Sequence, residues 1–173
     1  MFSLSALFLV ATAAQAAETQ NVGAWKVEVE ANRVFLSQPA GSASPGSRPE
    51  LVLRCSVWED KSQIIGRHHH DKEAYFFYAP GFASGERELV ATFDGDPPKK
   101  YWGGLSTDRK SLFFKEGFGE TADGFIRSLR AHSKLSIVVK SKEKDPPPEY
   151  SFDLAGINEA LTPWLKLCPM KNK

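Results

Sequence analysis

Two cysteines constrain this chain more than any other feature: Cys55 lies inside an apolar run and Cys168 almost at the C-terminus. An oxidising compartment would pair them, and the bridge would close nearly the whole domain. For a loop of about 100 residues the chain-entropy estimate is roughly 4 to 5 kcal/mol, less any native strain. The chain has no CxxC, and neither cysteine adjoins a helix N-terminus or basic cluster that would favour the thiolate. A structural disulfide is therefore expected, not a nucleophile or redox pair.

The N-terminus agrees with an oxidising compartment. Residues 1–16, MFSLSALFLVATAAQA, carry no charged side chain, and their apolar run is too short for the ~20 residues of a spanning helix. Ala14-Gln15-Ala16 offers a cleavage site before Ala17, and polarity begins at Glu18. The n-region has no Lys or Arg, a departure from the usual pattern. The reading is a signal peptide over 1–16 and a single domain over 17–173, periplasmic or secreted, with no stable membrane insertion after cleavage. Lys and Arg total 22 against 21 Asp and Glu, with no block of like charge. That balance excludes a nucleic-acid footprint or a polybasic membrane patch.

Period-2 alternation dominates the rest. Trp25, Val27 and Val29 share one face of a strand, and Ala31-Asn32 turns the chain into Arg33–Ser37. Leu51–Trp58 is the strongest strand, with Leu51, Leu53, Cys55 and Val57 facing the core. Gln38–Pro49 reads as an exposed loop, Gln63–Gly66 as a short strand, and Tyr75–Tyr78, Glu88–Phe93, Leu135–Lys140 and Tyr150–Leu154 as further strands. Trp102 and Leu112–Phe114 return aromatic residues to the core. The period changes to helical at Thr121–His132, with Thr121 as N-cap, and at Ile157–Leu167, with Asn158 or Asp153 as cap and Pro163 as a defect. About eight short strands and two helices late in the chain predict a mainly β fold, an antiparallel β-sandwich or open barrel.

Catalytic signatures are absent: the sequence contains no Gly-x-Ser-x-Gly, HExxH, Walker or Rossmann motif. Asp94 and Asp96 flank Gly95 and precede two prolines, the composition of a tight turn and not of an acid/base pair. Asp60, Asp71 and Asp123 are also read as turn residues. His68-His69-His70-Asp71 invites a metal reading through His68, His70 and Asp71. In an extended chain only His68 and His70 share a face, so a solvated turn is the favoured reading. The aromatic residues Tyr75, Phe77, Tyr101 and Trp102, with Phe82 nearby, form a second candidate, a contact patch for a partner. No cofactor is expected.

Taken in order, several segments resemble a known family. They are Trp25 opening an alternating strand, Leu51-Val52-Leu53-Arg54-Cys55, and Trp102 followed by Leu105-Ser106-Thr107-Asp108. Ser111-Leu112-Phe113-Phe114, the helix Phe125-Ile126-Arg127-Ser128-Leu129, and Phe152-Asp153-Leu154-Ala155-Gly156 leading to Cys168 complete the set. The whole is similar to the VasI family of periplasmic proteins associated with type VI secretion. More distantly, the Phe-x-Leu-x-Gly element resembles invasion-associated locus B proteins. The resemblance implies a periplasmic β-sandwich with no catalytic residues to carry over, while the His triplet and the Ser/Gly/Pro loop depart from it. The expectation is a non-enzymatic binding or accessory domain whose partner is an envelope or secretion-system protein. The alternatives are metal binding at His68 and His70 and a small-molecule site in an apolar sandwich pocket.

Overall fold

The computed structural model describes residues 17–41, 48–60, 67–82, 87–115, 122–140 and 147–170, with the side chains at 60, 67, 68, 87, 102 and 115 outside the description. The expected signal peptide, the centre of the Gln38–Pro49 loop, the Gln63–Gly66 strand and the Thr121 cap lie outside the described residues.

The fold is mainly β, an antiparallel sandwich with two helices late in the chain. Its strands are β1 (Glu18–Val22), β2 (Trp25–Glu30), β3 (Arg33–Pro39), β4 (Glu50–Asp60), β5 (Arg67–Phe77), β6 (Arg87–Phe93), β7 (Lys99–Leu105), β8 (Ser111–Lys115), β9 (Lys134–Lys140) and β10 (Glu149–Asp153); the helices are α1 (Asp123–Ala131) and α2 (Ile157–Leu167). The ladder runs β1-β2-β3-β4-β5-β8-β7-β6-β9-β10. In the ladder its two halves join where Tyr75, Phe76 and Phe77 pair with Phe113, Leu112 and Ser111. They face one another across a shared core, with the Phe76 ring 5.1 Å from Tyr150 and 6.2 Å from Phe152.

The alternation read from sequence sets the inner face. Trp25, Val27, Leu36, Leu51, Leu53 and Cys55 are fully buried, and so are Leu112 and Ile137 on the opposite half. β1 carries no apolar alternation, which is why sequence reasoning missed it; it forms because a tight turn at Gly23 (φ +59°) folds it onto β2. The ladder does not close. β10 is instead fastened to the end of β3 by Gly41 N–H donating to Ser151 O (2.9 Å) and Gln38 Nε2 donating to Asp153 O (2.7 Å). These donors occupy edge carbonyls that would otherwise invite strand addition.

Both helices face the core. Phe125 of α1 stacks on Phe114 at 4.2 Å and meets Tyr101 edge-on at 5.6 Å. α2 packs against β2, β3 and β4, burying Ile157, Leu161 and Trp164, and it stays helical through Pro163. Its predicted caps are corrected. Gly156 is the N-cap, at φ +81°, a left-handed conformation that glycine adopts without strain and that L side chains rarely take. Asp153 accepts from Ala155 N–H just before the helix, and Asn158 reaches across to Arg130 of α1.

α2 delivers Cys168 to the inner face of β4, where it is bonded to Cys55; the residues lie 113 apart in sequence, with Cα atoms 6.1 Å apart. Neither cysteine is solvent-accessible.

Candidate functional site

The histidine stretch is not a turn. It forms the first half of β5, with Glu59, Trp58, Val57 and Ser56 of β4 opposite His68, His69, His70 and Asp71 in turn. Cross-strand pairing overrides the polar composition: Trp58 stacks on His69 with ring centroids 4.3 Å apart and planes 13° apart, and its indole N–H donates to Asp71 Oδ2 at 2.9 Å. The strand geometry splits the proposed metal set. His70 is on the inner row and Asp71 on the outer one, and Asp71 is committed to Trp58. His70 Nδ1 lies 3.0 Å from Leu167 O, to which it donates as the Nδ1–H tautomer. His68 shares the inner row, but its side chain lies outside the description. Among the described residues no group of three His, Cys, Asp or Glu could hold a metal ion.

The expected contact patch also divides. Tyr75 and Phe77 stand on the outer face of β5 and are half-buried. The Tyr75 ring lies 5.3 Å from Phe113, and burial is the main influence raising its phenol above the ordinary pKa of 10.0, with Arg54 nearby opposing the shift. Tyr101 is corrected: it is 1% exposed and belongs to the core under α1, since it takes the inward phase of β7. The Trp102 side chain lies outside the described residues.

Sequence reasoning overlooked the residue that stands out most. Trp58 is 46% exposed, the one large hydrophobic residue of that kind among the described residues. The available signal was phase: Arg54, Ser56 and Trp58 alternate away from Cys55, so a strand that continued past Val57 would present the indole to solvent. Arg54 is itself paired with Glu73 on the same face.

Lys72 was also missed. Its ammonium lies 3.0 Å from Asp123 Oδ1 and donates to Pro169 O at 2.6 Å, with the two side chains only 5% and 7% exposed. Asp123 is therefore not a turn residue but the first residue of α1. Lys72 faces inward because it shares the phase of Ala74 and Phe76. The ammonium, also 6.0 Å from the Trp164 ring, joins β5, the start of α1 and the segment beyond the disulfide. Its hydrogen-bond partners are those of a structural clamp. Removing one partner of a buried pair like this leaves an uncompensated charge and is strongly destabilising, whereas replacing both by apolar residues is often close to neutral.

A groove of about 630 Å3 at β6, β9 and β10 is lined by Thr92, Asp94, Asp96, Lys134, Ser136, Ser151 and Asp153 among others. Asp94 is fixed there as a turn residue, beside Gly95 at φ +85°. The backbone N–H of Lys134, then the Ser133 hydroxyl and N–H, hold its carboxyl at about 2, against an ordinary 3.8. Asp96 lies 3.2 Å from His132 Nε2. With its oxygens engaged by the start of β9, Asp94 is unsuited to general acid or base work.

Among the described residues no helix is long and apolar enough to cross a membrane. No protein-family profile, curated protein or solved structure matches the chain.

Proposed function

We propose that this protein is a non-enzymatic binding domain of the periplasm or extracellular space, which uses the outer face of the β4–β5 hairpin to contact a protein partner in the cell envelope. The observation that carries the reading is Trp58. A large aromatic ring held upright by His69 and Asp71, and still nearly half exposed, is the type of residue that dominates binding energy at protein interfaces. Further along the same outer face, beyond the Arg54–Glu73 pair, Tyr75, Phe77 and Phe113 present half-buried aromatic surface on β5 and β8. The internal disulfide supports an exported location, because such bridges persist where the surroundings are oxidising. The resemblance to the VasI family narrows the proposed partner to a component of a type VI secretion assembly or a related envelope complex. His70 and Asp71 stand on opposite faces of β5, so a metal site that used both is not the reading favoured here.

The test is site-specific photo-crosslinking in the native envelope, with the reactive side chain placed at Trp58 and, as a control, at Ser151 on the opposite half of the sandwich. A discrete adduct from position 58 and none from position 151 is expected. No adduct from position 58, or the same adducts from both, would refute the assignment of this face.

A further inference from the structure

We propose that His132 is a pH-sensitive latch, which ties the turn between β6 and β7 to the end of α1 while its ring is protonated and lets the turn go when it is not. His132 is the C-cap of α1, and its side chain is only 18% exposed. Nδ1 donates to Ser128 O in the last turn of the helix at 2.8 Å, and Nε2 lies 3.2 Å from Asp96 Oδ2. With the Nδ1 proton given to Ser128, a neutral ring sets the bare lone pair of Nε2 beside the Asp96 carboxylate, which repels it. The imidazolium turns that repulsion into a charged contact. A positive ring also suits this end of a helix, where the carbonyls of the last turn carry partial negative charge. Phe93 of β6 packs against the ring with centroids 5.1 Å apart.

The charged groups on the elements that meet at this point are Asp94 and Asp96 of the turn, Lys134 at the start of β9, and Arg127 and Arg130 of α1. Lys134 is exposed, and Arg130 is engaged with Asn158 of α2. Asp94 holds the same turn to β9 through Ser133 and the Lys134 N–H, and its carboxyl sits at about 2, so that fastening is unchanged anywhere near neutral pH. The turn thus has two fasteners with different proton dependence. Once the pH exceeds the range in which an imidazole gives up its proton, Asp94 alone holds it and Asp96 is released. Asp94, Gly95 and Asp96 line the groove at β6, β9 and β10, so that end of the groove is loosened with them. Because the contact exists only with the charged ring, its contribution to stability is present on the acid side of that range and disappears as pH rises through it.

The experiment compares the purified protein with Asp96→Asn, a safe variant because that side chain is 52% exposed. The unsubstituted protein should melt about 2 °C above Asp96→Asn at about pH 5.5 and within about 0.5 °C of it at about pH 8.5. In two-dimensional NMR spectra the Gly95 and Asp96 amide resonances should follow one titration step between about pH 5 and about pH 8.5, and His132→Gln, which keeps a polar side chain and cannot take up the proton, should abolish that step. A midpoint difference of the same size at both pH values would reduce the contact to an ordinary surface hydrogen bond and overturns the proposal. Gly95 and Asp96 resonances that stay still while the His132 ring titrates would overturn it as well, since the turn would then be held independently of the ring.

Discussion

Removing the disulfide is the perturbation whose magnitude the structure defines best. The bridge spans 113 residues, and the chain-entropy relation for a loop of that length gives about −16 cal/mol/K, or about 4.8 kcal/mol at 25 °C. Both cysteines are fully buried on the inner face, so replacement by alanine introduces no polar group into the core. In urea unfolding with a slope of about 2 kcal/mol/M, the Cys55→Ala/Cys168→Ala chain should lose roughly 2.4 M in midpoint relative to the oxidised protein. The assay is tryptophan fluorescence and far-ultraviolet circular dichroism followed together, since coincident transitions license the two-state reading. A loss below about 2 kcal/mol would refute the reasoning. It would mean that the hydrogen bonds of His70 to Leu167 and of Lys72 to Pro169 hold the C-terminal segment in place without the covalent link.

Four further outcomes follow from particular contacts. Lys72→Met alone leaves Asp123 buried and uncompensated and should cost about 3 to 5 kcal/mol, whereas Lys72→Met/Asp123→Leu should recover most of it; additive losses in denaturant unfolding would show that the pair is not a unit. Tyr101→Ala should cost about 3 to 5 kcal/mol as a core truncation, and Tyr75→Ala less than about 2 kcal/mol; the reverse order would place the wrong ring in the core. Because the folded Asp94 carboxyl sits at about 2 against an ordinary 3.8, its contribution is present above pH 4 and disappears as pH falls towards 2. Asp94→Asn should therefore flatten the acid-side decline in thermal midpoint over that interval, and an unchanged slope would refute the assignment. Protein purified without a tag should carry no stoichiometric metal by elemental analysis; one equivalent of zinc or nickel, lost in His68→Ala/His70→Ala, would restore a metal site at the β5 start.

What the sequence by itself determined was written in local periodicity. The alternation at Leu51, Leu53, Cys55 and Val57, and the helical spacing of Phe125, Ile126 and Leu129, depend only on which side chains avoid water along one element, so strand and helix positions were legible. The two cysteines were also enough to expect a bridge, since there was no other pairing within the chain. What only the tertiary structure decided was pairing between elements. A polar run such as His68–Lys72 has no apolar period, and it becomes strand because β4 supplies the partner backbone and Trp58 the stacking ring. The same pairing sets Asp71 beside the Trp58 indole, whose N–H it accepts. Lys72 reads as a surface lysine until α1 brings Asp123 to 3.0 Å and the segment beyond Cys168 brings Pro169 O. Tyr101 and Tyr75 are alike as residues and differ only in the face their strands present. Strand phase, which a shift of one residue inverts, is set by hydrogen bonds to residues distant in sequence, and it separates the fully buried Tyr101 ring from the half-buried Tyr75 ring.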